Sequence, residues 1–443
     1  MKRQVIIAGT IACLLGAAVL AACSSGGTQG PAGEQTGTDT YAVAMPAFPE
    51  KTTEDNPEAW LKVLDENPLD QAYLDSLPAF SYKTAAAVFA QSDAESAGES
   101  MNGTYSPISL YYALALATQG AAGKTAEEMN TMLGAPDPAA VPKESGNLFR
   151  VLSSDPYSTI DLANSIWMSK SDDFEQSFVD VATQQFYATP FAVEFGTAET
   201  DKAIAAWISA NTNGTIDPEV QTEASQIMSI INTVYFKGSW ADQFDAANTK
   251  QKTFRSTAGD VQADFMTQRL ASPSEFVKTD TYTRASLGFT GGATMSFVLP
   301  AEGVNARDML TDEKALKEAF TSEARDIGYI TYTIPKTKFD STYDLIDPLK
   351  SLGMKTPFSD QADFSNLTAM PAFISKIKQE SYITWDENGA EASAYTDLGI
   401  EKMSIAPDNL VELDFMLDRP FLFQITSSQG VPLFIGICEN PAA

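Results

Sequence analysis

Helical spacing of apolar residues dominates the first half of the chain. Ser106 suits a helix N-cap and Pro107 the first helical position, and apolar residues then recur at helical spacing. A capping box at Thr125–Glu128 opens a second predicted helix. The same spacing predicts helices at residues 79–91 and 200–211.

Runs of strand composition dominate the second half. Residues 227–236 form an almost unbroken apolar run with β-branched side chains, which is typical of a strand buried on both faces. Further strands are predicted at residues 293–299, 329–334, 411–416, 421–426 and 432–438. Because helices come first and strands with short helices follow, the pattern predicts an α+β fold rather than regular βαβ alternation.

A stretch of small residues near the C-terminus departs from both patterns. Every second residue from Ala390 to Thr396 is small, so one face of a strand here would carry only small side chains. Gly389 and the alanines are poor strand formers, yet no proline occurs from residue 372 to 406 to bar the segment from a central strand. The sequence is therefore compatible with both a loop and a strand.

The N-terminus has the pattern of a secretory leader. Lys2 and Arg3 precede an apolar run from residue 5 to 22, and small residues precede Cys23. The motif Leu20-Ala21-Ala22-Cys23 resembles the bacterial lipobox, which implies cleavage before Cys23 and a lipid on its sulfur. The alternatives are an uncleaved short transmembrane helix and release after processing elsewhere.

The chain therefore divides into four segments. We expect a signal peptide at residues 1–22, and the lipidated Cys23 with a flexible Gly/Ser/Thr-rich tether at residues 23–40. Residues 41–77, which several prolines interrupt, are expected to be an N-terminal extension, and residues 78–443 one large domain. The expected location is outside the cell, lipid-anchored to the outer face of a bacterial membrane or cell envelope.

Composition excludes several chemistries. The 443 residues include 58 acidic and 29 basic side chains, a net charge of −29, which argues against nucleic-acid binding because phosphate contacts need clustered Lys and Arg. The absence of histidine excludes Ser-His-Asp and Cys-His hydrolysis and His-Glu-x-x-His zinc sites, while Ser-Lys hydrolysis stays possible. Cys438 alone remains in the body, so we expect it to be free and buried. We expect neither a metal nor a cofactor.

Several short motifs lie one after another along the chain, over about residues 78–441. The most specific are Asn232–Trp240, with the sequence Asn-Thr-Val-Tyr-Phe-Lys-Gly-Ser-Trp, and the small-residue stretch that begins at Glu387. The others are Ser106–Ser109, Gly120–Thr125, Ala206–Ile216, Met295–Pro300, Ile334–Lys336, Tyr343–Leu345, Leu352–Met354, Ala362–Ser365, Arg419–Phe423 and Pro432–Gly436. Together they resemble the serpin family of serine protease inhibitors.

The resemblance implies a fold of three β-sheets with about eight or nine helices, and a hinge and exposed reactive-centre loop at residues 387–410. It implies an inhibitor and not an enzyme. A serine protease cleaves the loop and stays joined to it as an acyl ester, and the loop then inserts into the largest sheet and distorts the protease. The expected partner is thus a serine protease in a covalent complex, and the inhibitor is expected to be a monomer.

The resemblance also assigns the loop residues. The hinge comprises Glu387, Gly389, Ala390, Glu391, Ala392, Ser393 and Ala394. Inhibitory members usually carry Thr or Ser where Ala390 stands, which is a mild departure. The usual loop length places the scissile bond at Met403-Ser404 and implies an elastase- or chymotrypsin-like target. A register one residue shorter would place it at Lys402-Met403 and imply a trypsin-like target.

A second set of residues matches the region where the large sheet opens. It comprises Ser106, Ser109, Asn232 and Gln379, with Trp240 as the aromatic at the top of the sheet. The family commonly carries histidine where Gln379 stands. Glutamine donates and accepts hydrogen bonds but does not titrate, so pH gating through this position is expected to be absent. Buried polar residues of this kind often only satisfy hydrogen bonds within a core.

Two other functions compete with inhibition. A non-inhibitory serpin would be a binding or structural surface lipoprotein, and such members tend to carry bulky, charged or proline residues at the inward hinge positions. This chain carries small ones there, which favours inhibition because a bulky side chain would overpack the sheet. A lipid-anchored enzyme or solute-binding protein is disfavoured by the ordered motifs and the lack of histidine.

Overall fold

The computed structural model describes residues 38–95, 102–324, 326–390 and 410–442. Ten α-helices fall within these ranges. They are α1 Pro57–Glu66, α2 Gln71–Glu95, α3 Pro107–Gly120, α4 Gly123–Leu133, α5 Val141–Ser153, α6 Gln176–Gln185, α7 Ala198–Asn211, α8 Ala306–Thr311, α9 Glu313–Thr321 and α10 Ile346–Ser351. Within the described ranges, no helix is both long and apolar enough to span a lipid bilayer.

Sixteen strands accompany the helices. They are β1 Gly103–Tyr105, β2 Thr159–Ser169, β3 Ala188–Val193, β4 Met228–Ser239, β5 Lys250–Ser256, β6 Gly259–Arg269, β7 Ser274–Lys278, β8 Tyr282–Gly288, β9 Thr294–Pro300, β10 Asp326–Pro335, β11 Thr337–Asp344, β12 Lys378–Trp385, β13 Gly389–Ala390, β14 Val411–Met416, β15 Phe421–Thr426 and β16 Pro432–Cys438. The predicted α+β fold is confirmed.

Six of the strands form one sheet in the order β11-β12-β13-β4-β2-β3. The two-residue strand β13 lies between β12, of 8 residues, and β4, of 12 residues. Ala390 pairs with Trp385 of β12 and with Gly238 of β4. Among the described strands, β4 and β12 pair with β13 and with their outer neighbours, and not with each other. Beyond β13, no described strand lies between β4 and β12.

The other ten strands form a second sheet, in which β10 is the junction. Residues 326–328 of β10 pair with β7, residues 331–335 pair with β6, and β14 pairs along the other side of β10. The resemblance implied three sheets, whereas the described strands make two, because β10 joins what would otherwise be separate groups. The helix number of ten also exceeds the expected eight or nine, since α1 belongs to the N-terminal extension.

The core between the two sheets is aromatic. Trp385 of the six-stranded sheet is 1% exposed, and its ring lies 5.1 Å from Phe423 and 6.1 Å from Phe297 of the ten-stranded sheet. Its indole nitrogen donates to the Pro335 carbonyl at 2.9 Å. The last residue of β12 is therefore held in place by both sheets, and it is the residue opposite Ala390.

The N-terminal extension lies along the edge of the six-stranded sheet. Ala42 forms a bridge with Phe191 of β3, and the Val43 amide donates to the Pro190 carbonyl at 2.8 Å. The predicted boundary at residues 77 and 78 falls inside α2, which continues through Pro78. The extension thus shares a continuous helix with the main domain.

A candidate strand-insertion site

A tight turn links β12 to β13 and is held at every carbonyl. The Trp240 indole nitrogen donates to the Asp386 carbonyl at 2.9 Å, and the Phe244 amide donates to the Glu387 carbonyl at 3.0 Å. The Trp240 amide donates to the Asn388 carbonyl at 2.9 Å. Because buried carbonyls need partners, these bonds define where the chain turns into the sheet.

Trp240 is itself fixed by stacking. It is 1% exposed, and its ring lies 4.5 Å from that of Phe289, at an interplanar angle of 10°. The sequence placed Trp240 at the top of the sheet where insertion would begin. In the structure it contacts the hinge turn directly through its main chain and its side chain.

An ion pair joins the hinge to the neighbouring strand connection. The Lys336 ammonium lies 2.8 Å from a Glu387 carboxylate oxygen, and the Thr249 hydroxyl donates to the other oxygen at 2.7 Å. Burial by itself would raise the pKa of Glu387, but the hydrogen bonds from Lys336 and Thr249 outweigh it and lower the pKa overall. The hinge carboxylate is therefore held in its ionised form.

Glu387→Gln is expected to lower the free energy of unfolding by about 1 kcal/mol at neutral pH, because Lys336 loses its carboxylate partner. The pKa of Glu387 is lowered from its ordinary 4.5, so this stabilisation is present above pH 4.5 and is lost as pH falls through the native pKa. Urea midpoints of wild type and variant should differ at pH 7 and converge in acid. A difference that persists undiminished in acid would contradict this assignment.

Gly389 allows the close approach of β13 to β4. A Cβ atom at this position would lie 2.0 Å from the Gly238 carbonyl oxygen and 2.9 Å from the Ser239 Cα atom. Neither contact involves a flexible side chain that could move aside. Glycine is therefore required here for the hinge to enter between the two long strands.

Of the two flanking strands, β12 has one buried and one more exposed face. On β12, Trp385, Ile383, Ser381 and Gln379 are buried and alternate with half-buried residues. Ala390 is 1% exposed and lies opposite Trp385, so it shares the buried face. A cavity between the strands is lined by residues 234–236 of β4 and 382–384 of β12.

A polar network connects β12 to the start of α3. The Ser106 amide donates to the Gln379 side-chain oxygen at 2.9 Å, and the Gln379 side-chain nitrogen donates to the Ser106 carbonyl at 2.9 Å. Ser381 donates to the same Gln379 oxygen at 3.3 Å. The Ser106 hydroxyl donates to the Leu433 carbonyl at 2.8 Å, so it bonds across to β16 and does not cap α3.

Asn232 lies on β4, the strand that pairs with β13. Its side-chain nitrogen donates to the Asn164 side-chain oxygen at 2.6 Å, while its own side-chain oxygen is buried without a hydrogen-bond partner. Such an orphaned acceptor costs free energy unless another group reaches it. Ser109 is buried on α3, and no hydrogen bond between described residues joins it to Gln379 or Asn232.

The structure thus brings Trp240, Glu387, Gly389 and Ala390 together at the end of β12. It joins Ser106 to Gln379 at the opposite end of the same strand, while Asn232 lies on β4. The remaining predicted residues lie outside the described ranges, namely Cys23, Glu391, Ala392, Ser393, Ala394, Lys402, Met403 and Ser404. Sequence reasoning missed the partners of Glu387. Lys336 belongs to the motif Ile334–Lys336, but no local sequence pattern relates Lys336 or Thr249 to the distant carboxylate of Glu387.

The fold and the site define an α+β protein whose six-stranded sheet receives Gly389 and Ala390 between two long strands. The family model described as serpin (serine protease inhibitor) matches residues 79–441. The chain therefore belongs to the serpin family.

Relatives from plants and animals are similar over most of their length. Serpin-ZXA of Oryza sativa subsp. japonica is 30% identical over 375 residues, covering 78% of this chain and 91% of the relative. The leukocyte elastase inhibitor of Bos taurus is 31% identical over 359 residues, covering 76% and 92%. The native state of tengpin, a thermophilic serpin, matches with a TM-score of 0.72 over 84% of this chain and 95% of tengpin, and at 24% identity this shows the fold.

Proposed function

We propose that this protein is a suicide-substrate inhibitor of serine proteases, which traps the acyl-enzyme when the cleaved loop fills the position between β4 and β12. The observation that carries the proposal is the two-residue strand β13, which already pairs with both flanking strands at the start of the hinge. Filling the rest of that position would add two ladders of backbone hydrogen bonds to the sheet.

The register of β13 extends directly into the loop. If pairing continues from Ala390, Ala392 meets Ile383 of β12 and Phe236 of β4, both of which are buried. Residues directly opposite one another in an antiparallel ladder share a face. Small side chains at every second position therefore suit the buried face, while Glu391 between them meets the half-buried Lys237 and Thr384.

The same register brings Thr396 between Asn232 and Gln379. The Thr396 hydroxyl is then a donor opposite the unpartnered side-chain oxygen of Asn232. Satisfying a buried acceptor contributes about 1 kcal/mol or more. Insertion is thus favoured by the polar residues of the sheet as well as by its backbone.

For the target we propose an elastase- or chymotrypsin-like protease that cleaves Met403-Ser404. The uncharged side chain of Met403 suits such pockets, and the bovine relative, which is 31% identical, is named for leukocyte elastase. Cleavage at Lys402-Met403 by a trypsin-like protease is the alternative. The non-inhibitory alternative is a surface binding protein that retains the fold, and the small inward residues argue against it.

The test is incubation with pancreatic elastase, chymotrypsin, trypsin and subtilisin, followed by denaturing gels. A detergent-resistant complex with elastase or chymotrypsin is expected, and mass spectrometry of the released C-terminal peptide should place its first residue at Ser404. The remaining cleaved inhibitor should unfold at a higher temperature than the intact one. Clean cleavage by all four proteases, without a complex and without added thermal stability, would contradict the trap.

We also propose that Cys23 carries the lipid and holds the mature protein at the outer face of a bacterial membrane or cell envelope. Expression in a bacterium fed an alkyne fatty acid should give a labelled protein in the membrane fraction. Cys23→Ser should abolish the label. A label that survives in Cys23→Ser, or a wild-type protein without label, would argue against this anchor.

A further inference from the structure

The six-stranded sheet has two distinct ends. The hinge end carries Trp385, Ala390 and Gly238, which lie at one level. We call the opposite end the far end. There Met168 pairs with Met228, and Ser169 pairs with Val193 at the close of β3. These registers allow other segments to be assigned to one end or the other.

The N-terminal tether enters the described part of the chain near the far end. The bridge between Ala42 and Phe191 is antiparallel, so the chain from Ala42 back to Thr38 runs toward Val193. Residues 23–37 are rich in Gly, Ser, Thr and Gln, and chains of this composition and length span on the order of 20 Å. A lipid on Cys23 would therefore hold the far end close to the bilayer.

A loop at the far end exposes large apolar side chains. Thr368 donates to the Asp173 carbonyl at 2.8 Å, and the Glu175 amide donates to the Leu367 carbonyl at 2.8 Å, which ties this loop to the segment just after β2. Directly after it, Met370 is 55% exposed. Phe373, three positions further on, is 56% exposed in the same loop. Both are available to contact a surface beyond the protein.

The charge of this loop and of its neighbour indicates what kind of interaction with lipids the loop could make. Residues 366–378 contain no acidic residue although the chain as a whole carries −29, and the exposed Lys376 follows Phe373. Asp173 and Glu175 on the neighbouring segment would oppose attraction to anionic lipids. Contact with a membrane would therefore depend on burial of the apolar side chains, while Lys376 would reach the lipid headgroups.

We propose that the loop of residues 369–376 rests on the membrane surface, with Met370 and Phe373 in the interface. This inference rests on the proposed lipid anchor. The consequence is an orientation in which the far end faces the bilayer and the hinge end faces away from it. Ala390, from which the proposed reactive-centre loop continues in the sequence, then lies at the end of the sheet that is accessible to soluble proteases.

The experiment uses the lipidated full-length protein in phosphatidylcholine vesicles that contain doxyl-labelled lipid. Burial raises the pKa of the Cys438 thiol, so an engineered exposed cysteine is the reactive one. One variant, Ala369→Cys, reports on the far end. The matched variant, Val411→Cys, reports on β14, which pairs with β10. Strand β10 leads into β11, and the first residue of β11, Thr337, pairs with Trp385 at the hinge end.

A fluorophore at position 369 should be quenched at least twofold more strongly than one at position 411. Adding Met370→Ser and Phe373→Ser should remove most of this difference while the protein still sediments with the vesicles. Equal quenching at both positions, or no change on the double substitution, would overturn the proposal and leave the anchor standing. Loss of sedimentation of the parent protein would overturn both. A fluorescence change that depends only on protein concentration would assign the loop to a second copy, and would overturn the membrane contact as well.

Discussion

Moving one carboxylate by a single residue is expected to convert this inhibitor into a substrate. In the variant Glu391→Ala/Ala392→Glu, the composition and net charge stay the same, but in the proposed register that extends from Ala390 the carboxylate moves to the position opposite Ile383 and Phe236 on insertion. Both neighbours are buried and apolar. Burying an unpaired carboxylate there costs several kcal/mol. Insertion of the loop therefore slows, and the acyl-enzyme is hydrolysed before the protease is trapped.

The expected size of the loss in trapping follows from the competition between loop insertion and deacylation. A penalty of about 3 kcal/mol in the insertion step lowers the ratio of trapped to released protease by about 100-fold. Stoichiometric titration of elastase activity, followed by gels, measures this ratio. The cleaved variant should accumulate, and its unfolding temperature should not rise.

The matched control is Glu391→Ala alone. It removes the carboxylate from the half-buried face, opposite Lys237 and Thr384, and leaves the buried face unchanged. Trapping should stay within a few-fold of wild type. If the swap and the control trap protease equally well, the register that extends from Ala390 is wrong.

The second large effect is expected at Gln379. Gln379→Leu leaves the buried amide of Ser106 without its partner, while the Ser106 carbonyl keeps the longer hydrogen bond from the Leu110 amide at 3.4 Å. An unsatisfied buried donor costs about 1–3 kcal/mol and the lost bond to the carbonyl about 1 kcal/mol, so a loss of about 2–4 kcal/mol in stability is expected. Urea unfolding at pH 7 measures it, and a loss below about 1 kcal/mol would mean that the network contributes little.

Gln379→His separates hydrogen bonding from titration. Neutral imidazole supplies one donor and one acceptor, as the two bonds with Ser106 require, but imidazolium has no acceptor. The native pKa of the new histidine should therefore lie below its unfolded value of about 6.5. Its stabilisation is then present above about pH 6.5 and is lost as pH falls, at up to about 1.4 kcal/mol per pH unit.

Wild type is the control for this pH dependence. Gln379 does not titrate, so the difference in stability between the histidine variant and wild type should appear only below about pH 6.5. Unfolding midpoints at pH 5, 6, 7 and 8 measure it. A constant difference at all four values would show that imidazole does not occupy the place of the glutamine side chain.

Local patterns predicted much of this fold. Ser106 and Pro107 stand at the start of α3, and the apolar run at residues 227–236 lies within β4 and its approach. The small residues from Ala390 onward were recognised by their spacing alone. These features depend on a few neighbouring residues, because helix and strand each impose a short repeat on the side chains.

The hydrogen-bond partners of particular side chains could not be predicted from local sequence patterns. Thr125 and Glu128 form a capping-box pattern, yet α4 begins earlier, at Gly123. Thr125 instead accepts a hydrogen bond from the Asp363 amide, and Glu128 accepts bonds from Lys355 and Thr356. These partners lie far away in the sequence and come within reach only when the whole domain has packed.

The sequence by itself determined the elements, the hinge and the family, because these rest on local periodicity and on ordered motifs. Only the tertiary structure decided that Ala390 pairs with two long strands, that Gln379 bonds both main-chain groups of Ser106, and that Lys336 pairs with Glu387. The physical reason is that each of these contacts joins distant segments. Their geometry depends on all the packed elements at once and leaves no repeat in the local sequence.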